Sequence, residues 1–195
     1  MMDYSKLNTI NHFMDEMKIQ VKNIIMATSE EDAHRELYSL ALKSERLTDY
    51  IRNAATVNMG IDKDVYLAAA TETLGFSVEK VEDKIHITLP YLLPKNKPVN
   101  SDRFIVEPLS YTLQRFVNKY NPRKFYHPLV EIRSIYDNNN PRHIRDTDNV
   151  EIHHVINIIS TMLFVDDSGV DILLCSRKGE SPHTEITISP TTDCE

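Results

Sequence analysis

The residues of this 195-residue chain whose types and spacing could do chemistry concentrate towards its C-terminal third. Arg145-Asp146-Thr147-Asp148-Asn149 carries an Asp-x-Asp pair, and Asp166-Asp167 follows, nineteen positions separating Asp148 from Asp167. An Asp-x-Asp pair in a tight loop brings two carboxylates to one place. A third carboxylate joining them is too costly without a compensating cation, and hard oxygen donors of this kind suit Mg2+. Asp146, Asp148 and Asp167 are therefore the candidate metal-ligating residues, with Asp166 in support. Arg142 and Arg145, just upstream, can face phosphate, as can Lys95 and Lys97 in the extended segment Pro94-Lys95-Asn96-Lys97-Pro98. The same acidic residues also read as an Asp-Asn helix cap and an Asp-Ser-Gly turn, and spacing alone does not separate the two readings.

Other reactive side chains give weaker patterns. His153 and His154 are neighbours, so a helix points them apart, and they cannot form the i, i+4 pair of a zinc helix. His12, His34, His86, His127, His143 and His183 are scattered and read as exposed or locally bonded. Ser181-Pro182-His183-Thr184 has no nucleophile elbow, and Cys175 reads as a small core residue on a strand. Tyr111, Tyr120, Phe125, Tyr126 and Tyr136 lie among basic residues and could stack on bases, although their spacing suits a core better. Net charge is −7 overall, yet residues 90–147 hold 10 basic against 5 acidic side chains. A basic middle beside a carboxylate-rich end suits an enzyme acting on phosphates.

The elements that must position these residues form an α+β pattern. Leu7, Ile10, Met14, Met17, Val21 and Ile24 alternate steps of three and four, and Leu37, Leu40, Ser44, Leu47, Ile51 and Ala54 do the same after a cap at Ser29. These make an antiparallel helical hairpin too narrow in its apolar surface to stand alone, so it must pack on the rest of the chain or on a second subunit. A third helix runs from after Asp62 to Gly75. A β-hairpin turns at Glu82-Asp83-Lys84. An amphipathic helix carries Ile105, Leu109, Leu113, Phe116 and Tyr120, its regular part beginning near Glu107 so that Pro108 falls in the first turn. Val130 to Tyr136 alternates as a strand, a helix follows from about Asn149 to Leu163, and Val170 to Ser176 and Thr184 to Ile188 close the fold as strands. The expected organisation is a helical region over 1–75, a small mixed sheet packed with two helices over 76–190, and a tail at 191–195. Four glycines speak against phosphate-cradling Gly-rich loops, and two cysteines form no framework. No apolar run spans a membrane and the N-terminus lacks a signal-peptide pattern, so a cytoplasmic location with no membrane partner is expected.

The ordered set Asp146-Thr147-Asp148-Asn149, helix, Asp166-Asp167 resembles the core motif of RusA-type Holliday-junction resolvases, over roughly residues 78–188. The resemblance implies a Mg2+-dependent, structure-specific endodeoxyribonuclease acting on branched DNA as a homodimer. Asp146, Asp148 and Asp167 would be catalytic, and Lys95, Lys97, Arg142 and Arg145 would bind DNA. One position departs from the pattern: Ile152 stands where those enzymes carry a lysine. Across its whole length the chain is similar to an uncharacterised family of mobile-element proteins of Gram-positive bacteria. The similarity is carried by Leu89-Pro90-Tyr91-Leu92-Leu93-Pro94-Lys95, by Arg145 to Glu151, and by Cys175-Ser176-Arg177. That kinship leaves open a non-catalytic protein that uses its helical hairpin to bind a partner.

Overall fold

The computed structural model describes residues 4–55, 60–93, 102–137, 152–166 and 168–191. Two compact units divide between Tyr66 and Leu67, inside the third helix. The described residues form the expected α+β fold, with five helices and a five-stranded mixed sheet.

The first unit is a helical hairpin, α1 (Tyr4–Met26) and α2 (Glu30–Asn53). Ser29 caps α2: its extended backbone leads into the helix and its hydroxyl oxygen accepts from the Asp32 N–H at 3.1 Å. Glu30, Glu31 and Asp32 put negative charge on the first turn, where the helix dipole favours it. Leu7, Ile10, Met17 and Ile24 of the apolar seam are partly buried, together with Phe13, whose ring lies 6.2 Å from that of Tyr50. Met14 and Val21 remain exposed, and Gln20 is buried instead. Gln20 donates to Glu36 at 3.2 Å, a polar contact between the helices that a hydropathy pattern does not disclose.

The second unit includes most of α3 (Lys63–Leu74), which ends as expected at Gly75, whose φ of 87° suits glycine. β1 (Ser77–Val81) and β2 (Lys84–Leu89) form a tight antiparallel hairpin, Val81 pairing with Lys84 across the two-residue turn Glu82-Asp83. Then come α4 (Asp102–Tyr120), β3 (Pro128–Asp137), α5 (His153–Leu163), β4 (Asp171–Gly179) and β5 (His183–Pro190). The strand order is β1-β2-β5-β3-β4, with β3 antiparallel to β5 and parallel to β4.

Alternation sets the two faces of this sheet. Ile85, Ile87 and Leu89 on β2, Ile186 and Ile188 on β5, and Val130 and Ile132 on β3 are buried in one cluster. Leu109, Leu113 and Phe116 of α4 and Val155, Ile159 and Leu163 of α5 complete it. Thr184, also buried, donates its hydroxyl to the Tyr91 carbonyl at 2.8 Å, so its polar atom is satisfied.

The helix α4 begins earlier than its proline suggested, and Pro108 lies inside it rather than in its first turn. An internal proline costs about 3 kcal/mol. Burying Ile105 and Leu109 on either side of it, at about 1.5–3 kcal/mol each, offsets that penalty. The Leu109→Ala variant should lose about 2–5 kcal/mol of stability in chemical denaturation, because its side chain is fully enclosed beneath the helix.

Candidate functional site

The pairing of β3 with β4 decides where the acidic motif can lie. Parallel neighbours need a crossover, and α5 supplies it. The chain leaves β3 at Asp137, enters α5 at Ile152–His153, and leaves α5 towards Asp166. Its eleven residues make α5 about 16 Å long. Asp146, Asp148, Arg142 and Arg145 belong to the segment that enters the helix, and they lie outside the described residues, as do Lys95, Lys97 and Asp167. Ile152 is described: it is half-buried and packs against the core cluster.

Asp166 closes a turn. One carboxylate oxygen accepts from the Ser168 N–H at 3.0 Å and the other from the Ser168 hydroxyl at 2.9 Å. Gly169 completes the turn at φ 74°, and a Cβ there would meet the His127 ring at 2.1 Å. For Asp166, then, the turn geometry anticipated from Asp-Ser-Gly is present. As to a metal, oxygen donors from Asp146, Asp148 and Asp167 match the chemistry of a hard cation. Among the described residues no three His, Cys, Asp or Glu side chains are grouped to hold one.

A groove lies where the segment before β3 meets the end of α5. Phe125 donates to the Leu163 carbonyl at 2.8 Å and accepts from the Val165 N–H at 3.0 Å, tying the segment before β3 to the end of α5. Beside this tie a groove of about 470 Å³ is lined by Lys80, Arg123, Lys124 and Tyr126, with Glu82 and Asp83 from the β-hairpin turn. Tyr126 is 65% exposed, which places one of the candidate stacking aromatics in solvent rather than in the core. Tyr136, by contrast, is buried. The available signal was the run Pro122-Arg123-Lys124-Phe125-Tyr126, two cations directly before two aromatics at the start of a strand.

The sheet face away from the core cluster carries a charged network. On β3, Glu131 bonds Arg133, whose Nη1 lies 3.5 Å from Glu185 Oε2 on β5. His183 Nε2 lies 3.5 Å from the other Glu185 oxygen. Cys175, on β4, donates its thiol to Glu131 at 3.3 Å, so it faces this network and is not the core residue expected. Burial raises the Cys175 pKa; the Arg133 hydrogen bond lowers it, the Glu131 hydrogen bond and charge raise it, and the balance leaves it above its ordinary value. Burial also pushes Glu131 upward, but the Cys175 and Arg133 hydrogen bonds and the charges of Arg133 and Lys84 outweigh it, and its pKa falls. Hydrogen bonds to Cys175 and Glu131 hold Arg133 above its ordinary value. The cysteine is thus a protonated donor that bridges β4 to β3, not a thiolate nucleophile.

These surfaces and elements define an α+β protein with one sheet face packed under helices and the other polar. The chain belongs to the family of unknown function DUF6100, whose model matches residues 3–194. No curated protein matches it. No helix among the described residues is long and apolar enough to cross a membrane.

Two measurements check the network. Glu131→Gln removes the carboxylate that raises the Cys175 pKa, so alkylation of the Cys175 peptide at pH 8, followed by mass spectrometry, should become several-fold faster. An unchanged rate would mean the thiol does not bond Glu131. Because the folded pKa of Glu131 is lowered, its contribution to stability is fully present above the unfolded carboxylate pKa. It is lost as pH falls through the lowered folded value, and a pH series of melting temperatures should show less acid loss in Glu131→Gln.

Proposed function

We propose that this DUF6100 protein is a RusA-like, Mg2+-dependent endonuclease acting on branched DNA such as Holliday junctions, as a symmetric homodimer. One observation carries the reading: β3, α5 and β4 follow one another as strand, helix and strand, with the Asp146–Asp148 sequence before the helix and the Asp166 turn after it, in the order that the motif resemblance calls for. Asp146, Asp148 and Asp167 would hold the ion, which when bound supplies Lewis acidity at a phosphate. Arg142, Arg145, Lys95 and Lys97 would hold the DNA backbone. The exposed Arg123 and Lys124 extend that basic character to the groove beside the Asp166 turn, where Tyr126 offers a ring to an unpaired base.

A second reading is favoured by Ile152. Its side chain packs against the core and brings no charge to the position where a lysine is expected. Under this reading the protein is a non-catalytic scaffold whose helical hairpin binds a partner.

Purified protein incubated with a four-way junction separates the two. The nuclease reading predicts nicks that require Mg2+, vanish with chelator and are abolished by Asp148→Asn. Binding without nicks under any divalent condition would support the scaffold. The double variant Arg123→Ala/Lys124→Ala should weaken DNA binding similarly for all sequences and lower the salt-dependence slope by about 2. An unchanged slope would remove the groove from the DNA path.

A further inference from the structure

The helical hairpin carries an apolar flank that its own two helices leave uncovered, and we infer that a second copy of this chain covers it, forming a four-helix bundle. The inference does not rest on the nuclease reading. Seven residues make almost two helical turns, so Leu7, Met14 and Val21 stand in one line on α1, and Leu37, Ser44 and Ile51 in one line on α2. In an antiparallel pair these two lines fall on the same flank. Met14 is 45% exposed, Val21 43%, Leu37 53% and Ile51 41%, and Ile25, beside Val21, is 77% exposed.

The heights of the lines agree as well. Gln20 meets Glu36 at 3.2 Å, Lys43 meets Glu16 at 3.2 Å, and Phe13 stacks near Tyr50 at 6.2 Å. By that register Leu7 is level with Ile51, Met14 with Ser44, and Val21 with Leu37. The flank is therefore three layers at matched heights, with Leu7 half-buried in the first and the small Ser44 opposite the long Met14 side chain in the second. The other flank holds the Lys43–Glu16 pair, while the Lys18–Asp15 pair on α1 and the His34–Glu30 pair on α2 border the apolar line.

Two-fold symmetry turns this flank into its own complement. Rotation about an axis parallel to the helices sets α1 of one copy over α2 of the other, antiparallel, with Met14 above Ser44 of the partner subunit. Each of the three layers then holds four side chains, two from each copy. At the exposed fractions of Met14, Val21, Ile25, Leu37 and Ile51, the flank presents on the order of 500 Å² per copy, or about 1,000 Å² for the pair. With flanking polar atoms that reaches the lower end of a stable interface, about 1,200 Å². Depletion of charge at the centre is what such an interface needs.

Light scattering of the full chain at micromolar concentration tests this. The wild type should show twice the 22.5 kDa chain mass. Leu37→Glu and Met14→Glu, each placing two carboxylates in the layers, should weaken the dimer at least about 100-fold, giving monomers with unchanged helical circular dichroism. If one of these variants loses its helical signal, the other decides. Ile19→Glu, on the other side of α1, should leave the dimer intact. A wild-type mass of 22.5 kDa, which would leave the flank to another segment or another protein, overturns the inference. So does a dimer that persists in the folded Leu37→Glu and Met14→Glu variants, or one that Ile19→Glu dissociates equally.

Discussion

The parallel pairing of β3 with β4 is the constraint on which the second unit depends. Antiparallel neighbours can be joined by a tight turn, as β1 and β2 are by Glu82-Asp83, but parallel neighbours cannot. The chain must travel back the length of the strand, and it does so as α5, with Val155, Ile159 and Leu163 pressed onto the sheet. That crossover puts Asp137 at one end of the strands and the Asp166 turn at the other. It also brings Phe125 beside Leu163 and Val165, and Lys124 within reach of the Thr161 carbonyl of α5.

A sheet with only one face packed under helices leaves the other face to polar chemistry. On β3, residues at even positions from Val130 to Ser134 point into the core, while Glu131 and Arg133 point out. Glu185 on β5 and Cys175 on β4 meet them there. The network satisfies its own hydrogen-bonding groups. Its lowered carboxylate and raised thiol are the signature of a structural bridge between strands, in which each group favours the protonation state the bridge requires. The hairpin divides its surface in helical form: polar contacts through Gln20 and Lys43 on one side, apolar layers on the other.

Much of this was legible in the sequence because local chemistry and tertiary fold agree. Ser29 could only be a cap, Gly75 sits at a positive φ, and strict alternation from Ile85 to Leu89 gave the strand and its inward face. Legibility failed where a distant partner outweighed a local rule. Pro108 is tolerated inside α4 because its neighbours reach the core, a fact that the α4 sequence alone does not contain. Gln20 is buried because Glu36 lies opposite. Cys175 looked like a core residue because Asp171 to Ser176 is rich in apolar side chains, yet β4 is a sheet edge and leaves Ile172 and Leu173 exposed. The groove was missed because its cations come from the β1 end and the α4–β3 connection together.

The account's central claim is that the acidic residues flanking α5 act together on one divalent ion. Three like charges drawn to one place repel, and an ion bound there stabilises the folded state in proportion to its occupancy. The most direct measurement is the melting temperature of the full chain during a magnesium titration, for the wild type and for Asp148→Asn. The wild type should gain about 2.7 kcal/mol once the ion reaches a hundred times its dissociation constant, and the variant should lose nearly all of that gain. A wild-type melting temperature that stays flat up to ~10 mM magnesium would contradict it.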